Sequence, residues 1–199
     1  MQTHALSSLR QRSPRRGIVS RRTAFDPPWH QTLSLTDGRE LLLRPISPLD
    51  AEPLRAGFAL LTAEEVRLRF LHPVKELTPE MAHKLTHLDK HREFALVAAE
   101  PLPPGEGLIG AVARASICED GQRAEFALLV SHRLAGQGLG RLMLKRVIRW
   151  ARLKRLHELY GDVLDENSAM LALAHSLGFQ REIVPHDPGL IRVRLMLAT

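Results

Sequence analysis

The chain has 199 residues, of which 44% are hydrophobic and 25% charged, a composition typical of one globular domain with a sizeable core. No segment approaches the roughly 20 consecutive apolar residues that cross a bilayer, and the sole cysteine, Cys118, has no partner in the chain. These features exclude a membrane-spanning protein and a disulfide scaffold. They favour a reducing, cytoplasmic setting without a membrane partner.

The net charge of +6 lies in the first 25 residues. Six arginines precede the first acidic residue, Asp26, and the rest of the chain holds 22 basic and 22 acidic side chains. Residues 1–30 are also rich in breakers and poor in large apolar side chains, so we expect a disordered tail there, with an organelle transit peptide as the alternative. A nucleic-acid partner is expected only through this tail, and one folded domain is expected over residues 31–199.

Hydrophobic periodicity and turn residues predict alternating strands and helices in the body of the chain. The order of these elements favours a mixed α/β fold, with consecutive strands early and strand–helix–strand units late. In chain order we first predict a strand pair within 33–43 that turns at Thr36-Asp37-Gly38, and then helices over 50–71 and 80–88. Strands over 94–99, 108–117 and 124–130 follow. The last elements predicted are a long helix from Leu139 through Ala151, a strand over 158–164, a helix that stops at Gly178, and a hairpin over 183–197.

A glycine-rich segment, Gly136-Gln137-Gly138-Leu139-Gly140, stands between an apolar strand and the long helix. Glycines let backbone N–H groups approach a ligand closely, and the positive end of a helix points to the same place, so the expected ligand is a phosphate. A dinucleotide fingerprint would belong near the first strand, and a nucleotide P-loop would need Lys and then Ser or Thr, where Arg141 and Leu142 stand. A plain turn is the remaining alternative.

The helix after this loop is strongly basic. Residues 133–155 contain eight Lys and Arg and no acidic residue, which would create a local positive field for a polyphosphate ligand. Arg141 adjoins the glycines and is the side chain that we expect to contribute. The more distant basic residues are predicted to form a solvated helix face.

These segments resemble the acetyl-CoA-binding motif of the GNAT superfamily of N-acetyltransferases. The resemblance rests on the strand at 124–130, the loop and helix start at 136–143, and the later motifs Asp165-Glu166-Asn167-Ser168-Ala169-Met170 and Leu177-Gly178-Phe179. Upstream, residues 37–39, 43–46, 69–77 and 85–93 are similar to the acetyltransferase domain of bacterial protein lysine acetyltransferases. In all, the resemblance covers about residues 33–196.

The resemblance implies a single-domain α/β (α+β) GNAT fold, in which a mixed, mostly antiparallel sheet is splayed into a V and flanked by helices. Acetyl-CoA would be the co-substrate, with no metal, and its pantetheine arm would lie between the strands that end at Val130 and Leu164. Ala135 stands where the superfamily usually has Gln or Arg. Asn167 would touch the cofactor, cap its helix, or do both. The cofactor-binding residues implied are Leu128, Leu129, Val130, Ala135, Gly136, Gln137, Gly138, Leu139, Gly140, Arg141 and Asn167.

Glu125 is the only charged residue in the apolar strand 124–130. An ammonium must lose a proton before it can attack a thioester, and in the lysine acetyltransferase branch the glutamate of this strand is the general base. We expect the apolar neighbours to desolvate the Glu125 carboxylate; the alternative is a carboxylate that faces water beside Arg123. A backbone N–H within residues 128–130 would stabilise the oxyanion.

One departure from the superfamily concerns the leaving group. Ala174 occupies the place where many members have a tyrosine that protonates the thiolate, and the only tyrosine of the chain is Tyr160. The thiolate is therefore expected to leave unassisted or to take its proton from water.

The histidines around residue 87 and the sole cysteine are further candidate sites. His83, His87 and His91 have the four-residue spacing of a helical zinc pair, but no acidic residue completes the motif and Asp89 lies on another face, so a polar surface or an acceptor groove is favoured. Lys90 and His91 replace the usual residues of the branch's acceptor-side segment at Asp89, Arg92 and Glu93. Cys118 is expected to be a buried, inert thiol.

The sequence therefore predicts an N-acetyltransferase that moves acetyl from acetyl-CoA to an amine, most plausibly a protein lysine. Acetylation of a small amine is the alternative within the enzyme class. A non-catalytic acyl-CoA sensor, and a nucleic-acid-binding protein that acts through the tail, are the alternatives from other classes.

Overall fold

A computed structural model describes residues 18–21 and 29–197. Its strands are β1 (Val19–Arg21), β2 (Gln31–Ser34), β3 (Glu40–Pro45), β4 (Glu93–Ala99), β5 (Ile109–Ile117), β6 (Arg123–Val130), β7 (Glu158–Leu164), β8 (Gln180–Ile183) and β9 (Leu190–Met196). Its α-helices are α1 (Ala51–Ala59), α2 (Ala63–Phe70), α3 (Pro79–Thr86), α4 (Leu139–Leu153) and α5 (Ser168–His175), with short 3₁₀ turns at Pro48–Asp50 and His132–Leu134.

The described strands form one sheet in the order β1-β2-β3-β4-β5-β6-β7-β9-β8. Every neighbouring pair is antiparallel except β6 and β7, which are parallel. Their register runs only from Arg123–Glu125 against Glu158–Tyr160, so the two strands separate beyond Glu125. This is the mostly antiparallel, V-splayed sheet that the family resemblance implies.

Both faces of the central strands are covered. In β4, Phe94 and Leu96 face the large core under α4 and α5, whereas Ala95 and Val97 face a second core with residues of α1 and α3. Burial on both faces explains why this strand reads as a continuous apolar run. Among the described helices, none has the length and apolar character needed to cross a membrane.

The helix predicted over residues 50–71 is wrong in one respect, because α1 and α2 are separate helices. Thr62 accepts a hydrogen bond from the backbone N–H of Glu65, and the Glu65 carboxylate accepts one from the N–H of Thr62. This capping box starts a new helix after Leu61. The second helix ends at Phe70, and its C-cap residue Leu71 has a φ of 65°.

The sheet also begins earlier than the predicted domain boundary at residue 31. Within the segment expected as a tail, Val19–Arg21 pair with β2, with Ser20 opposite Leu33. The Trp29 ring lies 5.0 Å from the ring of Phe94. Residues 1–17 and 22–28 lie outside the described residues, so the tail remains a prediction for them.

Candidate active site

A cleft of about 380 Å³ opens where β6 and β7 separate. The outer half of β6, Leu128–Val130, forms one wall, and residues from the start of α5 form another. In an antiparallel pair every second residue directs its backbone groups away from the partner strand, and beyond Glu125 these groups of β6 find no partner in β7. The cleft therefore offers free backbone hydrogen-bonding groups along one wall.

The glycine loop closes one end of this cleft. Gly136 and Gly138 have φ values of 75° and 83°, and Gly138 occupies the N-cap position of α4 without a capping side chain. The backbone N–H groups of residues 136–138 have no acceptor among the described residues. Together with the positive end of a 15-residue helix, these donors fit a pyrophosphate group.

All of the predicted cofactor-binding residues except Gln137 line this cleft. The Gln137 side chain instead accepts hydrogen bonds from Thr36, at 2.6 Å from its Oγ1 and 3.3 Å from its backbone N, and so ties the loop to the turn between β2 and β3. Arg141 is exposed beside the loop and donates to Ser176 Oγ at 2.5 Å. Its guanidinium is therefore held at the end of the cleft that the glycine loop closes.

Several other basic residues of the run 133–155 have structural partners. Arg146 donates to Gln31 Oε1 at 2.6 Å, the Arg149 guanidinium lies 5.3 Å from the Trp29 ring, and Lys154 donates to the carbonyl of His91 at 2.9 Å. This part of the run connects α4 to the first strands and to the loop before β4. The expectation of a solvated face is wrong for Arg146, which is partly buried, whereas Arg149 and Lys154 are exposed and also contact other parts of the protein.

Asn167 caps α5, because its Oδ1 accepts a hydrogen bond of 3.0 Å from the Met170 N–H. The side chain also lines the cofactor cleft, and its amide nitrogen donates to no described residue. Asn167 therefore caps its helix, and its side-chain N–H groups have no acceptor among the described residues.

Glu125 lies in a neighbouring pocket of about 180 Å³, together with Asp162 from β7, Arg69 from α2 and Leu71 directly after α2. The Glu125 side chain is exposed, so the expected desolvation is wrong. Its apolar sequence neighbours Ala124 and Phe126 are buried on the opposite face of the sheet, since successive strand residues alternate between faces.

The face of the sheet around Glu125 is polar. Tyr160 lies opposite Glu125 in the register of β6 and β7, and Asp162 accepts two hydrogen bonds of 2.8 Å from Arg192. Asp162 is paired with a guanidinium, whereas the Glu125 side chain makes no hydrogen bond or ion pair among the described residues, so Glu125 is the carboxylate of this pocket that is open to a ligand.

Tyr160 is directed to Cys118, with 3.4 Å between its hydroxyl and Sγ. Burial and this hydrogen bond raise the pKa of Tyr160 to about 12, so the hydroxyl stays protonated at neutral pH. Cys118 is partly exposed, not buried as predicted. Ala174, in the place of the superfamily tyrosine, is fully buried.

A third wall of the cleft comes from α2, which the sequence reasoning did not assign to the site. Glu65, Leu68 and Arg69 line the cleft, and their i, i+3, i+4 spacing, which places them on one helix face, is the signal that could have identified them. This wall is the main addition of the structure to the predicted site.

Side chains at both rims of the cleft hold α2 in place. On one rim, Glu65 accepts hydrogen bonds from the backbone N–H of His132 at 2.5 Å and pairs with its Nδ1 at 3.0 Å. On the other rim, Arg67 contacts Glu166. Burial would raise the pKa of Glu65, but the hydrogen bonds from Thr62 and His132 outweigh burial and lower it. We call α2 with these two contacts the α2 bridge.

The three histidines considered as a zinc pair do not share a helix. α3 ends at Thr86, His87 stacks on His83 with 3.6 Å between ring centroids, and His91 follows in a turn. In the part of the chain that the structure describes, no group of three or more His, Cys, Asp or Glu side chains could hold a metal ion.

The segment 89–93 folds against β5. Arg92 donates to the carbonyl oxygens of Ile117 and Cys118, and Glu93 pairs with Arg114 at 3.3 Å. The Asp89 carboxylate accepts a hydrogen bond from the His91 N–H. These contacts fix the segment before β4 against β5 and the residue that follows it.

Comparison with known proteins agrees with this geometry. A family model described as an acetyltransferase (GNAT) domain matches residues 40–180. The chain is 30% identical over 168 residues to an acetyltransferase of Pseudomonas aeruginosa, and the match covers 84% of this chain and 90% of that relative.

Solved structures share the fold. The GNAT domain of S. lividans PAT superposes with a TM-score of 0.75 at 24% identity, over 87% of this chain and 99% of that one. YncA from Salmonella typhimurium, solved with its cofactor acetyl-CoA, gives a TM-score of 0.61 at 21% identity, over 80% of this chain and 95% of that one.

Proposed function

Because this chain belongs to the GNAT family of acetyltransferases and is an acetyl-CoA-dependent N-acyltransferase, we propose that its acceptor is a lysine side chain of a protein and that Glu125 is the general base. The observation that carries the proposal is the position of Glu125. Its carboxylate lies in a solvent-open pocket that shares walls with the cofactor cleft, where an amine from solution would meet the acetyl group.

The residues of the cleft fit acetyl-CoA. The N–H groups of residues 136–140 would hold the pyrophosphate, and the unpaired backbone of Leu128–Val130 would hold the pantetheine arm and, through one N–H, the thioester oxygen. When bound, the co-substrate supplies an activated acetyl group.

Glu125 would then accept a proton from the incoming ammonium, which frees the nitrogen lone pair for attack. The carboxylate is exposed and faces the same pocket as the polar side chains of Asp162 and Arg69. Water can remove the proton from Glu125 after each turnover, because the pocket is open to solvent.

A lysine on a protein surface suits this pocket. The opening is walled by the apolar side chains of Leu68 and Phe70 in α2 and of Leu71 directly after it, which can pack against the long methylene chain of lysine. The resemblance of residues 69–77 and 85–93 to lysine acetyltransferases supports the same acceptor. A reducing compartment such as the cytoplasm fits the sole cysteine, Cys118, and nucleic acid is proposed as a partner only for the tail.

Substitution of Glu125 by Gln tests the base. We expect Glu125→Gln to lower kcat for a lysine-bearing protein by at least roughly 100-fold, within the range for loss of a general base. The dissociation constant for acetyl-CoA, measured by calorimetry, should stay unchanged, because Glu125 does not line the cofactor cleft.

The matched control is Glu119→Gln, which removes an exposed carboxylate from the turn between β5 and β6 and should keep full activity. Equal rates for Glu125→Gln and the wild type would contradict the role of Glu125. Tight binding of acetyl-CoA without transfer to any amine would instead support the sensor.

A further inference from the structure

The cofactor cleft and the pocket of Glu125 meet at a small group of shared residues. Within the described ranges, five residues line both cavities, and Arg69 is the only charged one among them. The thioester has to lie at this junction, since the acetyl group arrives through the cleft and the amine through the pocket. The shared residues are Leu68, Arg69, Leu128, Asn167 and Met170.

Arg69 forms no ion pair with a carboxylate among the described residues, although the Glu125 carboxylate lies in the same pocket. The Arg69 side chain is partly buried, its guanidinium lies 4.9 Å from the centroid of the Phe70 ring, and it makes no hydrogen bond or ion pair among the described residues. Taking a guanidinium out of water without a partner costs free energy. An anionic ligand at the junction would offset that cost.

The neighbouring guanidinium groups, unlike that of Arg69, have ion-pair or hydrogen-bond partners. Arg67 pairs with Glu64 at 3.0 Å, Arg114 donates to the Leu85 carbonyl at 2.6 Å and pairs with Glu93, and Arg192 holds Asp162. Arg69 is therefore the cation whose five donors are free for a bound molecule.

Three effects act on the pKa of Arg69. Burial and then the charge of Arg114 lower the pKa of Arg69 to about 10, whereas the charge of Glu125 acts in the opposite direction. Arg69 thus remains a cation at neutral pH.

We propose that Arg69 is a catalytic residue that stabilises the negative charge developing on the sulfur of coenzyme A as the acetyl group leaves. This inference rests on the acetyl-transfer activity of the family and not on the identity of the acceptor. Arg69 would provide the leaving thiolate with a cationic partner in a chain where Ala174 replaces the superfamily tyrosine.

The chemistry of the step defines where that charge appears. The nitrogen lone pair forms the C–N bond, and the electron pair of the C–S bond stays on sulfur as the bond breaks. One amine proton goes to Glu125 and then to water, and the second neutralises the thiolate directly or through water. Arg69 keeps its own protons, and its fixed donors stabilise the charge without reorganisation.

The test measures the thiol of bound coenzyme A, which requires no acceptor and no turnover. The protein is saturated with coenzyme A, and thiolate is followed by ultraviolet absorbance while the pH is raised. A cation at the sulfur lowers a thiol pKa by about one unit or more from its free value near 8.5. In Arg69→Gln we expect the pKa of the bound thiol to return to the free value.

Binding of desulfo-coenzyme A should be the same in Arg69→Gln and the wild type, which shows that the variant is folded and its cleft intact. Arg152→Gln, a change at an exposed arginine on α4, should keep the lowered thiol pKa. An unlowered thiol pKa in the wild type, or one that Arg69→Gln leaves lowered, would overturn the proposal.

Glu125→Gln separates this inference from the proposed base. Removal of a carboxylate near Arg69 should leave the thiol pKa lowered even though transfer is lost. A thiol pKa that rises in Glu125→Gln as it does in Arg69→Gln would contradict the assignment to Arg69.

Discussion

At the scale of single residues, the buried pair of Arg44 and Asp50 fixes the start of the helical layer. Both side chains are at most 1% exposed, and two hydrogen bonds of 2.6 and 2.9 Å join them. The Asp50 carboxylate also accepts from the backbone N–H groups of Ser47 and Gly105. One carboxylate thus joins β3, the turn before α1 and the loop between β4 and β5.

Asp50→Asn is expected to lower the free energy of unfolding by about 3 to 5 kcal/mol at neutral pH, because it leaves the Arg44 charge buried without a partner. The measurement is urea unfolding of both proteins at pH 7. The matched control is Asp37→Asn, which breaks an exposed pair with Arg39 and should have little effect.

The same pair predicts a pH dependence. Burial alone would raise the pKa of Asp50, but the Arg44 guanidinium and the N–H groups of Ser47 and Gly105 outweigh burial and hold it below its usual value. A carboxyl with a lowered pKa in the folded state stabilises the protein above its unfolded pKa, about 3.9, and loses that contribution as the pH falls. The difference between the wild type and Asp50→Asn should therefore shrink below about pH 4; a constant difference would contradict this account.

At the scale of elements, the α2 bridge forms the third wall of the cofactor cleft. Arg67 has two carboxylate partners, Glu64 in its own helix and Glu166 on the opposite rim. Only the second contact connects the helix to the far side of the cleft, so the two can be separated by substitution.

Glu166→Gln is expected to weaken acetyl-CoA binding by up to about fivefold, the worth of a partly exposed ion pair. Glu64→Gln removes the other carboxylate partner and should leave the dissociation constant unchanged, as measured by calorimetry. Equal effects of the two substitutions would show that Arg67 acts within α2 and does not hold the bridge.

Element positions were largely predictable from sequence, and the differences have local causes. The sequence reasoning overlooked the Thr62–Glu65 capping box and therefore joined α1 and α2, although the Thr-x-x-Glu signal is present. It misjudged Glu125 because apolar residues next to it in sequence lie on the other face of the strand. Arg69 was not assigned to the site, because its place at the junction depends on how α2 crosses the cleft.

At the scale of the whole molecule, one parallel contact of three residues between β6 and β7 joins the larger part of the sheet to the β7-β9-β8 part. The V that opens beyond this contact creates the cleft, and the solvent-open pocket beside it holds Glu125. The positive charge of the chain lies in two places. The excess of +6 comes from the first 25 residues, whereas Arg141 and Arg69 place positive charge along the cleft itself.

The most direct test of the proposed acceptor is a transfer assay with isotopically labelled acetyl-CoA. The acceptors are a library of peptides, each with one lysine and a free N-terminal amine, together with free amino acids and polyamines. Mass spectrometry locates the label. We predict label on the lysine ε-nitrogen in the wild type and a rate of labelling at least roughly 100-fold lower in Glu125→Gln. Label confined to N-terminal or small-molecule amines, or no label on any acceptor, would contradict the account.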